Sequence, residues 1–368
     1  MERRLILGIE SSCDETAAAV VGGGVEVHSN VVFSQAAEHA KFGGVVPEVA
    51  GRSHLEAILP AIDQALADAG VRLEDLSGVA VTARPGLIGS LLVGLSSAKA
   101  LCWSTGLPLV DVDHIEAHVY AATMEEPGAV EFPCLALVVS GGHTALYEVR
   151  SPLEMTRIAT TLDDAAGEAF DKVAWLLGLE YPGGPSVARL ALEGRRDSIA
   201  FPRYSPKRKP GAEQRPVGFS FSGLKTAVLY HLRGGDALQP TPPPDQIPDR
   251  ADVAASFEEA VVDTLVTQTL RAAEQRGVGQ VLVAGGVACN RRLREVMHAR
   301  GADQGVRAFF PSPAYCTDNA VMIAGLGWRR LEAGLVDSFL FLPRGGTYHP
   351  PPARMPSEPA PGKVSGYG

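Results

Sequence analysis

Two stretches decide the fold: Leu5–Val21 (LILGIESSCDETAAAVV) and Leu135–Val149 (LALVVSGGHTALYEV). Each carries an apolar run into a short polar or glycine turn, then into a second run rich in small and β-branched residues. The pattern predicts strand, turn and strand over Leu5–Glu10, Ser11–Glu15 and Thr16–Val21. It predicts the same over Leu135–Val139, Ser140–Gly142 and Thr144–Val149. A unit that returns in this way reads as an internal structural repeat.

Outward from the first copy, a third strand is expected near Val25–Phe33. A helix then runs from about Pro47 to Gly70, with Leu55, Ile58, Leu59, Ile62 and Leu66 at helical spacing. Val79–Thr82 and Leu109–Val112 read as short apolar strands separated by a helix over Ser90–Thr105, and a helix carrying His114 and His118 follows. After the second copy, helices are expected around Gly167–Leu177, Pro185–Glu193, Leu224–Leu232 and Asp252–Arg276. A strand at Val281–Ala284 and helices at Asn290–Arg300 and Asn319–Ala333 complete the pattern. Strands alternating with helices indicate an α/β architecture with mixed sheets. Arg203–Pro216 and Gln239–Pro248, rich in Pro and polar residues, read as loops, and the tail from Pro343 onward as disordered.

Composition sets the class. The chain has 368 residues, enough for two domains of ordinary size, and 46% apolar with 20% charged residues is a globular balance. No apolar run approaches the roughly 18 residues needed to span a bilayer. The stretch Leu5–Ile9 is cut by Glu10 before reaching the about 7–15 residues of a signal-peptide core, so a cytoplasmic location is expected. The five cysteines are odd in number and never spaced Cys-x-x-Cys, which argues against a disulfide framework and a zinc knuckle. A net charge of −9 opposes nucleic-acid binding by the global field. Local positive charge does occur: Arg203, Lys207, Arg208, Lys209 and Arg215 crowd one loop, and Arg291, Arg292 and Arg294 open a helix.

Three sets of residues carry chemistry. His114-Ile-Glu-Ala-His118 puts two imidazoles one turn apart on one helix face, where both reach a single cation; a carboxylate would complete a site suited to iron or zinc. A metalloprotease would need Glu directly after the first His, and that position is Ile115. The glycine-rich turns Ser140–Thr144 and Ala284–Asn290 allow backbone N–H groups to approach a phosphate. Gly218–Gly223 comes near a phosphate-binding loop, but Leu224 intervenes before Lys225-Thr226 and no strand leads into it. The carboxylates are Asp14 and Glu15 in the first turn, Glu168 and Asp171 one helical turn apart, and Asp318 at a helix start. For these, helix capping and first-turn charge are the plain alternative.

Taken in order, GIESSCDET (Gly8–Thr16), EHAKFGGVVPEVAGRSHLE (Glu38–Glu56), HIEAH, SGGHT, GEAFDK (Gly167–Lys172), YPGGP (Tyr181–Pro185), FSFSGLKTA (Phe219–Ala227), GGVACN and CTDNA resemble one family. It is the tRNA adenosine threonylcarbamoyltransferase family, formerly described as glycoprotein endopeptidases, and the resemblance covers roughly residues 5–335. It implies an actin-like, ribonuclease-H-like fold of two related lobes with a central cleft. The lobes are expected at 1–110 and 111–324, with a C-terminal helix near 325–342 packing back on the first and the tail at 343–368. The implied reaction moves a threonylcarbamoyl group from threonylcarbamoyl-AMP to the exocyclic amine of the adenosine beside the anticodon. The implied substrates are tRNAs reading codons that begin with A, and AMP is released.

By the same resemblance, His114, His118 and Asp318 match the metal ligands, with iron(II) favoured over zinc. Val138, Val139, Ser140, Gly141, Gly142, Asp171, Gly184 and Asn290 match positions that hold the adenine nucleotide, be it threonylcarbamoyl-AMP, ATP or ADP. Glu15 matches an acidic residue near the reacting end, and His114 and His118 join it as implied catalytic residues. Implied partners are tRNA, a paralogous actin-like dimer subunit, a small ATPase and a separate synthase that supplies the donor. Cys289 in the asparagine loop, the long basic loop and the proline-rich tail depart from the family pattern. The readings left beside this one are an actin-like regulatory ATPase that transfers nothing and a small-molecule kinase.

Overall fold

The computed structural model describes residues 4–42, 44–208, 210–211, 213–235, 239–337 and 339–346. Lys209 of the basic loop and the proline-rich tail from residue 347 lie outside these.

The first lobe contains β1 (Leu5–Glu10), β2 (Glu15–Gly22), β3 (Glu26–Ser34), the one-turn helix α1 (Ala36–His39), α2 (Pro47–Ala69), β4 (Leu76–Arg84), α3 (Ile88–Thr105) and β5 (Leu109–Asp113). Helix α4 (His114–Met124) leads out of it. The second holds β6 (Cys134–Val139), β7 (Thr144–Ser151), β8 (Glu154–Thr160), α5 (Ala166–Leu176), α6 (Gly183–Ala191), α7 (Ser222–Leu232), α8 (Arg250–Arg276), β9 (Gln280–Ala284), α9 (Arg291–Asp303) and β10 (Arg307–Phe309). The chain closes with α10 (Pro313–Cys316) and α11 (Ala320–Glu332).

The sheet orders are β3-β2-β1-β4-β5 and β10-β9-β6-β7-β8. In the first, β1 pairs antiparallel with β2 and parallel with β4; in the second, β6 pairs antiparallel with β7 and parallel with β9. Read from the other edge, the second sheet repeats the first strand for strand. The repeated hairpin thus extends to a duplicated five-stranded mixed sheet. Two of its strands, β8 and β10, carry no expectation from the sequence. One is a mostly half-exposed edge strand and the other is three residues long, so neither shows a clear period.

Strand side chains alternate between faces, so each sheet feeds two cores. Leu7, Ile9 and Val20 pack under α2 and α3 with Ile58, Ile62 and Leu95. Ile6, Val21 and Val112 pack on the opposite face against α4 and α11, through Ala117, Tyr120, Ala324 and Trp328. In the second lobe, Leu135, Leu137 and Val139 face the core built by α5 to α8, while Ala136 and Val138 face Ile115, Val119 and Ala122 of α4. Helix α4 is therefore shared by both lobes and buried nearly all round. On α2 the buried face is Ala50, His54, Ile58, Ala61, Ile62 and Ala65, and Leu55 and Leu59 are exposed although they share the helical spacing.

Residue 110 falls inside β5, and α11 starts at Ala320 and ends at Glu332, well short of residue 342. That last helix returns to the first sheet and crosses β1 at Gly8, where a Cβ would stand 2.4 Å from the carbonyl oxygen of Ala320 and 2.6 Å from the Ala324 nitrogen. The contact is backbone on backbone. Gly8→Val should therefore lower stability by at least about 1–3 kcal/mol, the range for overpacking a core. Chemical denaturation measures this, and the same variant should bind metal more weakly because α11 carries Asp318 at its start.

Candidate active site between the lobes

The equivalent hairpin turns, Ser11–Asp14 and Ser140–His143, meet across a cleft of about 1660 Å³. Each turn is braced by the start of a following helix. The Leu87 N–H donates to the Ser12 carbonyl at 2.8 Å, and the Gly167 N–H donates to the Ser140 carbonyl at 3.1 Å. A side chain at Gly167 would put Cβ 2.6 Å from that same oxygen, so the close approach needs glycine.

At the inner end of the cleft, three ligand-type groups converge. Asp113 caps α4 by accepting from the Ile115 and Glu116 N–H groups at 2.9 and 3.2 Å, which fixes where His114 and His118 emerge. Asn319 caps α11 through the Met322 N–H at 3.1 Å and fixes Asp318 just before it. His118 Nε2 lies 3.1 Å from Asp318 Oδ1, and His114 Nε2 lies 3.5 Å from the same oxygen. One donor atom from each of the three residues falls within 4.8 Å of the others. Two imidazole nitrogens and a carboxylate oxygen aimed at one point form the donor set of a divalent first-row metal, so these residues fit the cation the resemblance implies.

A fourth residue orients the first ligand. Glu10, 0% exposed at the end of β1, sits 2.9 Å from His114 Nδ1. It also accepts from the Thr82 hydroxyl at 2.7 Å and from the Ser12 N–H at 2.5 Å. This carboxylate–histidine pair leaves His114 Nε2 for a cation. The sequence reading used Glu10 only as the end of an apolar run, yet a charge closing a fully buried strand was the available signal. Burial works against charge on His114, but Asp318 and Glu10 outweigh it and raise the imidazole to about 9. Burial and His114 lower His118. Burial also opposes ionisation of Asp318, but the two histidines hold it well below the usual carboxylate range.

Around this centre the expected substrate positions divide. Ser140, Gly141, Gly142, Asp171, Gly184 and Asn290 line the cleft, as does Glu15. Val138 and Val139 do not; both are fully buried on opposite faces of β6, so they position the turn from beneath. Asp171 accepts the Gly183 N–H at 2.7 Å, fixing the start of α6. Asn290 caps α9 through the Leu293 N–H at 2.8 Å and donates to Glu258 at 2.8 Å. Glu258 and His143 are cleft residues that carried no expectation; burial, then His114 and His118, lower His143 to about 4 and keep it neutral. Glu15 accepts from the Ser34 hydroxyl at 3.1 Å, and burial, Asp318 and Asp14 push its carboxyl up to about 9.

Other basic and phosphate-like motifs have local partners. In the FSFSG string, the Ser220 and Ser222 hydroxyls and the Phe221 N–H bind Asp163 at 2.6, 2.7 and 2.8 Å. In the basic loop, Arg203 pairs with Asp263 at 3.0 Å, and none of that loop's described residues lines the cleft. The five cysteines are free thiols; Cys289 is exposed on the cleft, whereas Cys102, Cys134 and Cys316 are buried.

A family model described as tRNA N6-adenosine threonylcarbamoyltransferase matches residues 26–325. Relatives carrying that name are 52% identical over 330 residues in Syntrophus aciditrophicus and 53% identical over 331 residues in Symbiobacterium thermophilum. Each alignment covers 90% of this chain and 93% of the relative. Among solved structures, full-length HypF in its phosphate- and nucleotide-bound form aligns with TM-score 0.59 at 14% identity, over 90% of this chain and 47% of that one. Component A of the Acidaminococcus fermentans (R)-2-hydroxyglutaryl-CoA dehydratase aligns with TM-score 0.51 at 15% identity, over 89% and 99%. At such identities the likeness is one of fold, the two-lobed actin-like arrangement.

Two outcomes follow for the metal centre. His114→Ala, His118→Ala and Asp318→Ala should each abolish tight binding of zinc or anaerobic iron(II), and Glu10→Gln should weaken it by about 10- to 100-fold, as calorimetric titration would show. Because a cation must displace the proton held on His114, affinity should fall by up to about tenfold per pH unit below 9. A pH-independent affinity, or full binding by the triad variants, would contradict the site.

Proposed function

Because the chain belongs to the tRNA N6-adenosine threonylcarbamoyltransferase family, we propose that its interlobe cleft brings threonylcarbamoyl-AMP and a tRNA adenosine together. The threonylcarbamoyl group passes to the exocyclic amine of the adenosine beside the anticodon, in tRNAs reading codons that begin with A, and AMP leaves. The observation that carries the assignment of the site is the convergence of His114, His118 and Asp318 at the floor of a cleft edged by glycine-turn N–H groups. A regulatory ATPase or kinase on this fold has no need of two histidine ligands. The relatives that name the family are transferases.

An exocyclic amine is a weak nucleophile, so the acyl donor has to arrive activated, and a mixed anhydride with AMP is activated. The new bond joins the adenine nitrogen to the carbamoyl carbon, the bond from that carbon to the phosphate oxygen breaks, and the phosphate takes the electron pair. No covalent enzyme nucleophile is required; positioning and charge stabilisation carry the step. The Ser140–Gly142 turn and the start of α6 at Gly184 are suited to hold the phosphate, with the Asn290 loop beside the adenosine. His114, His118 and Asp318 would hold a divalent cation, iron(II) in our reading with zinc as the alternative, which would supply Lewis acidity. Glu10 keeps His114 fixed for it.

Glu15 lines the cleft, and we assign it the role of accepting the proton the incoming amine loses. Its carboxyl is raised to about 9, so it is protonated at neutral pH without a cation and ionises as pH rises. The tRNA substrate follows from the family. A paralogous actin-like dimer subunit, a small ATPase and a separate donor synthase are the partners we propose, in the cytoplasm. No helix among the described residues is long and apolar enough to cross a membrane.

The test supplies threonylcarbamoyl-AMP and unmodified tRNA to the full chain with those partners, and detects threonylcarbamoyladenosine by mass spectrometry of digested tRNA. Product should form with the native chain and disappear with Asp318→Ala. Product from Asp318→Ala at the native rate would discard the metal's role. For Glu15, the rate should climb with pH in the native chain, and Glu15→Gln should lose both that climb and about 100-fold or more in kcat.

A further inference from the structure

One wall of the cleft carries a residue that the transfer chemistry leaves unused. Trp175, near the end of α5, is 77% exposed and lines the cleft. The other tryptophans are accounted for: Trp328 is buried in the first lobe, and Trp103, 79% exposed, has Phe339 edge-on at 5.7 Å. Trp175 has no ring partner among the described residues. The same cleft is lined by Leu192, 65% exposed, with Leu229 and Arg189, and on α5 itself by Asp171 and the Glu168–Lys172 ion pair. Arg189 is exposed and makes no ion pair among the described residues.

Helix α5 fixes where this indole stands relative to the reaction. Its first turn rests on the Ser140 turn through Gly167, and Lys172 and Trp175 lie one turn apart along the cleft side. Eight residues separate Gly167 from Trp175, which at about 1.5 Å per residue places the indole roughly 12 Å from the turn, measured along the axis. That is on the order of three to four stacked bases at about 3.4 Å each. The inner end of the cleft is acidic, with Asp14, Glu15 and Asp318. The far end of α5 instead offers an open aromatic face, and Arg189 of α6 lines the same cleft with no ion pair among the described residues. A flat apolar ring next to a free cation recognises an unstacked nucleobase and its phosphate, a combination found at single-stranded nucleic-acid sites.

We propose that Trp175 is a stacking platform for an anticodon-loop base of the tRNA substrate, with Arg189 contacting the adjoining phosphate. This inference rests on the transferase reading above and adds a binding residue to it. Stacking on Trp175 places the loop along α5, so that the target adenosine, a few bases further along the strand, is directed at the metal end of the cleft. A protein covering the same wall is the competing occupant.

The test titrates a synthetic anticodon stem-loop with an unmodified target adenosine against the full chain, and measures transfer with the partner-complete enzyme. RNA should quench tryptophan fluorescence in the native chain and in Trp103→Phe, and the quench should vanish in Trp175→Phe. Trp175→Ala should raise KM for tRNA by about 5- to 150-fold, the range of one base–aromatic stack. In that variant kcat at saturating tRNA and KM for threonylcarbamoyl-AMP should stay nearly unchanged. Trp175→Phe should recover most of the tRNA affinity, since any aromatic face stacks. Native transfer with unchanged KM in Trp175→Ala would overturn the proposal, leave the transferase reading standing and assign the wall to a protein partner. Absence of transfer by the native enzyme would instead remove the reading on which the proposal rests.

Discussion

Everything at the site depends on one packing arrangement: α4 lies between the two sheets and is buried against both. Its Ala117, Tyr120 and Met124 belong to the first lobe's core, and its Ile115, Val119 and Ala122 to the second's. The remaining stripe carries His114 and His118, which therefore project from the joint itself. A ligand pair on a loop would move with either lobe. Here it moves with neither, because displacing α4 would open two apolar cores at once. Asp318, just before α11, is held in place by the same logic, since the start of that helix is fixed against β1 by backbone contact at Gly8.

Duplication explains the rest of the cleft. Two sheets of the same order present their β1–β2 and β6–β7 turns toward each other, and each turn is braced by a following helix. The copies have diverged in charge. The first turn region carries Asp14 and Glu15, close to Asp318; the second is Ser-Gly-Gly-His, with a neutral His143. In the second, the Ser140 and His143 N–H groups bond within the turn, leaving those of Gly141 and Gly142. In our proposal the first turn serves the acceptor and cation end, and the second holds the anionic phosphate.

Much of this was legible in the chain because it is local. The hairpin strings, the His-x-x-x-His spacing and the long helices are all written within 30 residues or fewer, where periodicity reports them. What stayed hidden is non-local. Asp318 and His118 are 200 positions apart and Glu10 and His114 are 104 apart, so their contacts rest on sheet order and helix packing. The family resemblance supplied Asp318, but nothing supplied Glu10 or Glu258. Spacing gave the helix but not its buried face: Leu55 and Leu59 repeat with it yet are exposed, and Val138 and Val139, substrate positions by the resemblance, fill cores beneath the turn. Periodicity gives a face; it does not say what that face meets.

The central claim is that one cleft holds both a cation on His114, His118 and Asp318 and an adenylate at the opposite turn. A crystal structure of the chain with zinc and a non-hydrolysable threonylcarbamoyl-adenylate analogue tests it most directly. The account predicts anomalous scattering from a cation bound by both Nε2 atoms and the Asp318 carboxylate, with the analogue's phosphate on the Gly141 and Gly142 N–H groups and its acyl end toward the cation. A cation bound elsewhere, or an analogue seated outside the cleft between the two turns, would contradict it.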